Sequence, residues 1–167
     1  MNQVNLLDVG SKSNYPAGDL SNFTSFKFVI DDVECASMEG FLQALKFDKP
    51  HIQVEVCKLT GIKAKQRGKE RNNNWKLKQG LWWKGEFFPR REHEYQRLLD
   101  RAYIELAKQN ENYCQALLDT KDLILTHHIG RSNESETVLT QNEFCSRLMK
   151  LRKLLKNGVD LSGVKRL

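Results

Sequence analysis

The sequence predicts an α+β fold, predominantly helical with a few short strands, in a single domain. Apolar residues recur at three- and four-residue steps in several stretches, which indicates amphipathic helices, and short apolar runs bounded by turn residues indicate strands. A chain of 167 residues suits one domain with a substantial core. We expect this domain to span residues 1–156, and the polar, glycine-containing C-terminal tail at residues 157–167 to fray.

The first predicted elements are a hairpin and a helix. Pro16 and Gly18 interrupt an irregular opening segment. "FKFVI" at residues 26–30 then predicts a strand, the two aspartates that follow predict a tight turn, and residues 33–35 the returning strand. Ser37 is a suitable N-cap for a helix that begins at Met38.

Further helices follow along the chain. One is expected from Pro50 to Leu59, because proline suits a first helical turn. "GLWWKGEFFP" is expected to be extended, and residues 91–109 have the strongest helical periodicity of the chain. A shorter helix is predicted from Tyr113 to Leu118, and "DLILTHH" predicts a strand. Thr140 and Glu143 have the spacing of a capping box that starts a last helix.

Composition excludes several functional classes. No apolar run approaches the roughly 20 residues of a membrane helix, and "MNQVNLLDVG" lacks the features of a signal peptide, so we expect a cytoplasmic protein. The four cysteines are spread singly, which predicts reduced, packed thiols. Dinucleotide-binding, P-loop, nucleophile-elbow and HExxH patterns are absent, and no cofactor or metal is predicted. The adjacent His127 and His128 would point to opposite faces of a strand and could not easily share one metal. We expect ordinary structural or surface roles for them, with one of the two facing a polar pocket as the alternative.

The helix predicted at Met38 has three polar side chains in line. At 100° per residue, Glu39, Gln43 and Lys46 fall within about 60° of arc. The apolar residues of the same helix gather on the opposite side: Met38, Phe41, Leu42 and Leu45. The polar face is either ordinary solvated surface or a catalytic stripe of carboxylate, carboxamide and amine, and the pattern alone leaves both interpretations open.

The positive charge of the chain is concentrated in one segment. Residues 63–78 contain seven basic residues and one acidic residue, a net charge of +6 that equals the charge of the whole chain. Trp75 lies among these charges. The segment therefore either binds phosphate groups and stacks on a base, or forms a flexible, solvated loop.

Five short motifs occur in an informative order. They are "YPAGDLSNF" at 15–23, "CASMEGFLQALKF" at 35–47, the isolated Trp75, "LAKQNENYCQALLDTKD" at 106–122 and "NEFCSRLMKLR" at 142–152. In this order and rough spacing they resemble the NADAR, or YbiA-like, family over nearly the whole chain. A competing match to the family's helix motif, "EHEYQRLL" at 92–99, has Leu99 where the motif's lysine should stand, so the earlier helix receives the assignment.

The resemblance implies a YbiA-like fold and hydrolysis of a ribosyl C1–N bond. Members of the family are associated with phosphorylated ribosylamino-pyrimidines of the riboflavin pathway and with ADP-ribose attached to guanine. Proteins similar to it are thought to use a glutamate and a lysine that forms a Schiff base with ribose C1. The corresponding catalytic residues here are Glu39 and Lys46. A carboxylate stabilises positive charge that develops at C1, and an unprotonated amine can attack an aldehyde-level carbon.

Substrate-binding roles are assigned by the same resemblance and by side-chain chemistry. The expected positions are Asn22 and Gln43 for hydrogen bonds, Phe23 and Trp75 for stacking, Arg67 and Lys69 for phosphate, and Asn110 and Asn142, which match family asparagines. Phe23 is equally suited to the core, and the last two asparagines are equally suited to capping or bracing a helix. Arg147 and Arg152 are expected at solvated helix positions, within possible reach of phosphate.

Because the chain departs from the family pattern at several positions, the identity of the base that is released is not predicted. Gly40 replaces a histidine, Leu42 a tyrosine, and "IGRSNESETVLT" stands in place of a Trp-Gly element, while Thr140 and Cys145 replace glycines. The expected partner is a nucleotide-like small molecule or ADP-ribosylated nucleic acid, with no membrane. Two alternatives remain: a nucleic-acid-binding module that uses residues 63–78, and a sensor that binds ADP-ribose without turnover.

Overall fold

The computed structural model describes residues 5–167 and has the predicted class, a mostly helical α+β domain. Its helices are α1 (Met38–Ala44), α2 (Pro50–Cys57), α3 (Gly61–Lys69), α4 (Asn72–Lys78), α5 (His93–Lys108), α6 (Glu111–Asp119) and α7 (Gln141–Lys156). Its strands are β1 (Leu6–Asp8), β2 (Phe28–Ile30), β3 (Val33–Cys35), β4 (Gly80–Trp83), β5 (Glu86–Pro89) and β6 (Ile124–Thr126). Within residues 5–167, no helix is both long and apolar enough to cross a membrane.

Among residues 5–167, the strands form three two-stranded sheets. β2–β3 and β4–β5 are antiparallel hairpins. β1 and β6 pair in parallel, although they lie far apart in the sequence. Asp31 and Asp32 both have positive φ, which gives the tight turn predicted between β2 and β3. The pairing of β1 with β6 was not predicted, because a three-residue strand gives almost no alternating pattern.

Helix α1 lies in the core and is fixed at both ends. The hydroxyl of Ser37 accepts the Gly40 N–H at 3.1 Å, which is the predicted N-cap. The ring of Phe41 packs edge-on against Trp83, with centroids 5.0 Å apart. The carbonyl of Leu45, just past the helix, accepts the Trp82 N–H at 2.8 Å. The hairpins therefore hold the helix that carries the polar stripe.

Buried arginines connect the second half of the chain. The Arg90 side chain is fully buried and forms two hydrogen bonds to the Glu143 carboxylate, at 3.0 and 2.6 Å. Arg147 donates to Asp100 at 2.9 Å, and Arg152 donates to the Thr120 hydroxyl at 2.8 Å. The prediction of solvated positions for Arg147 and Arg152 is wrong, because both side chains satisfy partners inside the protein.

Two other segments differ from the prediction. The basic segment at residues 63–78 forms most of α3 and all of α4 rather than a flexible loop. The C-terminal tail packs instead of fraying: Leu161 is buried in a 3₁₀ turn (Leu161–Gly163), and the Leu167 N–H donates to Asp100 at 3.2 Å. In both cases a polar stretch is ordered by contacts with residues that are distant in the sequence.

Candidate functional site

The polar side of α1 is covered by protein. Gln43 is 6% exposed and Lys46 7% exposed, while Glu39 is half-buried. The covering elements are α3, whose Gly68 packs on Gln43, and α4, whose Asn72 contacts Lys46. The helix ends at Ala44, so Lys46 follows the C-cap rather than continuing the stripe. The interpretation of this face as ordinary solvated surface is therefore wrong.

Glu39 is hydrogen-bonded to Gln43 and to Asn22, and Tyr103 in turn holds Asn22. The Glu39 Oε1 accepts the Gln43 side-chain amide at 2.8 Å, and its backbone N–H donates to the Asn22 carbonyl at 3.0 Å. The Tyr103 hydroxyl, from α5, donates to Asn22 Oδ1 at 2.8 Å. Burial raises the pKa of Glu39, against the lowering effects of the Gln43 hydrogen bond and of the charge on Lys46. A buried carboxylate with a raised pKa beside a charged partner is a feature typical of functional sites.

Lys46 has the properties of a nucleophilic amine. Its Nζ donates to Asn72 Oδ1 at 2.6 Å, which orients the side chain. Burial lowers its pKa to about 8, Glu39 opposes this shift, and Lys76 and Lys65 reinforce it. With a pKa of about 8, roughly a tenth of this amine is unprotonated at pH 7.

The close packing of α3 on α1 depends on Gly68. A Cβ at this position would lie 1.8 Å from Gln43 Oε1, 2.8 Å from Gln43 Cδ and 3.1 Å from Gln43 Cβ. The Gln43 Oε1 is buried and makes no hydrogen bond within residues 5–167. Gln43 is thus clamped between α3 and the carboxylate of Glu39.

Gly68→Ala should disturb the site more than the fold. The Gln43 side chain must rotate away from Glu39, and we expect a loss of about 1–3 kcal/mol of stability from overpacking. Substrate turnover, measured as described below, should fall in addition. Gly163→Ala is the matched control, because a Cβ there meets nothing within 4 Å. Turnover at the unaltered rate in Gly68→Ala would contradict this role of Gln43.

Several predicted substrate residues lie near this site, with one correction. Phe23 is half-buried beside the start of α3, since a Cβ on Gly61 would lie 3.7 Å from its ring. Arg67 lies over the ring of Phe47, 4.7 Å from its centroid, and pairs with Glu70. Trp75 is 1% exposed and is the buried anchor of α4, so the predicted stacking on a base is wrong for this conformation.

The other predicted residues are outside the Glu39 cluster. Lys69 is exposed on α3 and Asn142 is exposed in the first turn of α7. The Asn110 side chain donates to the carbonyls of Lys27 and Leu106, at 2.8 and 2.9 Å. Asn110 therefore braces α5 against the segment that enters β2, which is the structural alternative considered for it.

Sequence reasoning missed several members of the cluster. Asn72 and Tyr103 position Lys46 and Asn22, and the charges of Lys65, Lys76 and His127 act on Glu39 or Lys46. The helical periodicity identified Tyr103 only as a core residue. A buried tyrosine hydroxyl usually finds a partner, which was the available signal. Nothing in the local sequence separates Asn72 from its neighbouring asparagines.

The structure explains one departure from the family pattern and shows how the segment at a second departure is held. A Cβ on Gly40 would lie 2.5 Å from the Leu59 carbonyl oxygen, so the chain after α2 passes where a histidine would stand. The segment at residues 129–140, which stands in place of the Trp-Gly element, is held by hydrogen bonds. Arg90 donates to the Thr137 carbonyl at 3.0 Å. The Gln79 side chain donates to the Ser135 carbonyl at 3.0 Å.

Two open grooves lie elsewhere, along α5 and the C-terminal tail. Their volumes are about 460 and 540 Å³, and neither is lined by Glu39 or Lys46. We assign the candidate site to the Glu39 cluster, because it combines a buried amine of lowered pKa with a carboxylate of raised pKa.

Comparisons with known proteins agree with this fold. A family described as "Bacteriophage protein GP30.3" matches residues 14–153. A 17.1 kDa protein from the Gp30-rIII intergenic region of Enterobacteria phage T4 is 33% identical over 147 residues, which cover 87% of this chain and 96% of the relative. The NMR structure of the E. coli protein YbiA superposes with a TM-score of 0.62 at 19% identity, over 95% of this chain and 89% of that chain. The expected YbiA-like fold is therefore confirmed.

Proposed function

Because this chain belongs to the GP30.3 family of bacteriophage proteins and has a YbiA-like fold, we propose that it is an N-glycosidase. Its reaction is hydrolysis of a ribosyl C1–N bond in a phosphorylated, nucleotide-like substrate. The observation that supports this most strongly is the buried amine of Lys46, whose pKa is lowered to about 8, with the carboxylate of Glu39 acting on it. A desolvated amine together with a specific charged partner is a combination found at functional sites.

The proposed reaction uses both groups at the anomeric carbon. As the C1–N bond breaks, the Glu39 carboxylate stabilises positive charge at C1 and the ring oxygen. The electron pair on Lys46 Nζ forms a bond to C1. Glu39 then carries one proton from the alkylated nitrogen to the ring oxygen as the ring opens to a protonated imine. Water adds to this imine and releases the sugar as an aldehyde, which regenerates the free amine.

The charges around the cluster favour a phosphorylated sugar. Lys65 on α3 and Lys76 on α4 act electrostatically on Lys46 from the covering helices, and Arg67 lies on the neighbouring ring of Phe47. Ammonium and guanidinium groups bind phosphate through charge-assisted hydrogen bonds. The ribose hydroxyls are assigned to Gln43, whose Oε1 has no hydrogen-bond partner among the described residues, and to Asn22, whose Oδ1 accepts from Tyr103. The candidate substrates are ADP-ribosylated guanine and a phosphorylated ribosylamino-pyrimidine.

Borohydride trapping tests the proposal. We expect the protein to release base from ADP-ribosylated guanine in DNA or from a phosphorylated ribosylamino-pyrimidine. Borohydride should reduce the imine to a stable sugar adduct, seen by intact mass. Lys46→Ala should form no adduct and should lose base release by roughly 10³-fold, since the nucleophile is gone.

Lys150→Ala is the matched control, because this lysine is exposed on α7. It should form the adduct as the unaltered protein does. Base release without an adduct would retain the glycosidase but reject Lys46 as the nucleophile. The absence of base release from both substrates would contradict the proposed activity.

A second candidate function is binding without turnover. It is favoured by the basic face of α3 and α4, on which Lys63, Lys69 and Lys78 are exposed. A nucleic-acid-binding module would bind DNA or RNA with strong salt dependence, and Glu39→Gln would not weaken that binding. A sensor would instead bind ADP-ribose in the Glu39 cluster without turnover. Base release that is lost in both Glu39→Gln and Lys46→Ala, with the fold intact, would exclude both.

A further inference from the structure

The proposed reaction needs a third group. When the C1–N bond breaks, its electron pair stays on the nitrogen of the base, and an amine or amide nitrogen leaves poorly unless it receives a proton. Glu39 is occupied at C1 and at the ring oxygen, and Lys46 supplies the new bond to carbon. A separate acid is therefore required near the cluster.

The imidazole of His127 is fixed by three contacts. Its Nδ1 donates to the Val9 carbonyl at 2.6 Å, and its ring meets the Phe144 ring edge-on with centroids 5.2 Å apart. Gly130 covers another edge of the ring, since a Cβ there would lie 2.6 Å from His127 Cδ2. Because the carbonyl oxygen can only accept, Nδ1 bears a proton. Within residues 5–167, Nε2 makes no hydrogen bond.

This imidazole is connected to the catalytic cluster. Phe144 also packs on Tyr103, with ring centroids 6.2 Å apart, and Tyr103 holds Asn22 beside Glu39. The charge of His127 is among the influences that lower the pKa of Glu39, against the larger effect of burial, which raises it. His127 is half-buried and directly follows β6.

Other acids near the cluster are less suitable. The Tyr103 hydroxyl already donates to Asn22, and burial raises its pKa well above 10. Lys76 pairs with Glu136, at 3.2 Å, and Lys65 is exposed on α3. Among the described residues that act on Glu39, His127 is the one imidazole.

We propose that His127 is a catalytic residue that protonates the departing base, an inference that rests on the proposed glycosidase activity. The Nε2–H proton passes to the leaving nitrogen as the C1–N electron pair moves onto it. The imidazole that remains is the neutral form with a proton on Nδ1, which the bond to Val9 stabilises. A proton from the water that hydrolyses the imine restores Nε2–H.

His127→Asn separates this role from a structural one. The asparagine amide can replace Nδ1 as the donor to Val9, but it cannot deliver a proton. We expect base release from the ribosylamine substrates to fall at least roughly 10²-fold, the usual range for loss of a general acid. Trapping of ADP-ribose on Lys46 by borohydride should be unchanged, since its terminal ribose opens to an aldehyde and carries no base at C1. His128→Asn is the matched control, because His128 is exposed and pairs with Asp8 on the surface.

The outcomes distinguish the two proposals. Base release at the unaltered rate in His127→Asn would overturn the role of His127 and leave the glycosidase in place. An equal loss of base release and of ADP-ribose trapping would assign His127 to folding or binding and would also overturn it. If the unaltered protein released no base, the glycosidase proposal would fail and the role of His127 with it.

Discussion

Replacing Glu39 with glutamine should reduce base release by roughly 10³-fold while the protein stays folded. Loss of the carboxylate removes the group that stabilises positive charge at C1 and that moves the proton to the ring oxygen. Glutamine has nearly the same shape and can still hydrogen-bond Gln43, so thermal unfolding should change little. The rate of base release by Glu39→Gln, compared with that of the unaltered protein, measures the effect.

The same substitution should shift the pH dependence of imine formation. Glu39 raises the pKa of Lys46, which in its presence is about 8. Without Glu39 this pKa should fall further, so the free amine appears at lower pH. In a pH series with ADP-ribose and cyanoborohydride, adduct formation should rise through a midpoint near pH 8 in the unaltered protein and through a lower midpoint in Glu39→Gln.

Glu55→Gln is the control for both measurements, because Glu55 is exposed on α2. It should leave the rate and the midpoint unchanged. A midpoint that rises in Glu39→Gln would show that Glu39 does not act on the amine. Undiminished base release would show that no carboxylate is needed at C1.

Local signals in the sequence predicted the elements that carry the site. Ser37 caps α1, Asp31 and Asp32 make the hairpin turn that precedes it, and Thr140 with Glu143 forms the capping box of α7. Each of these features depends on residues within a few positions of one another. Their backbone geometry is therefore set largely by local chemistry.

The interior of the site was less predictable, because it depends on contacts between distant segments. Lys46 is buried only because α3 approaches α1 at Gly68 and α4 brings Asn72 to its amine. No local pattern separates a lysine with lowered pKa from a solvated one. Trp75 was misassigned for the same reason: its position among charges suggested exposure, whereas α4 turns the indole inward.

The buried arginines also lay outside local patterns, and they lead to the largest expected effect on stability. The guanidinium of Arg90 is fully buried and donates hydrogen bonds to both carboxylate oxygens of Glu143. Glu143 also accepts the Thr140 N–H at 2.8 Å and the Gln96 amide at 2.6 Å. Removing Glu143 would leave a buried cation without its counterion.

Glu143→Ala should therefore lower the free energy of unfolding by about 3–5 kcal/mol, a large part of the 5–15 kcal/mol typical of such domains. Burial raises the pKa of Glu143, but the Arg90 hydrogen bonds and charge outweigh this and hold it below its ordinary value of 4.5. The ion pair thus contributes fully above pH 4.5 and is lost as pH falls through the lowered pKa.

Denaturant unfolding should show the full difference in the free energy of unfolding between Glu143→Ala and the unaltered protein at pH 7. The same difference should be smaller in acid. Glu94→Ala, at an exposed position of α5, should cost far less. A difference between Glu143→Ala and the unaltered protein that is small at pH 7, or that grows in acid, would show that Arg90 finds other compensation when its counterion is removed.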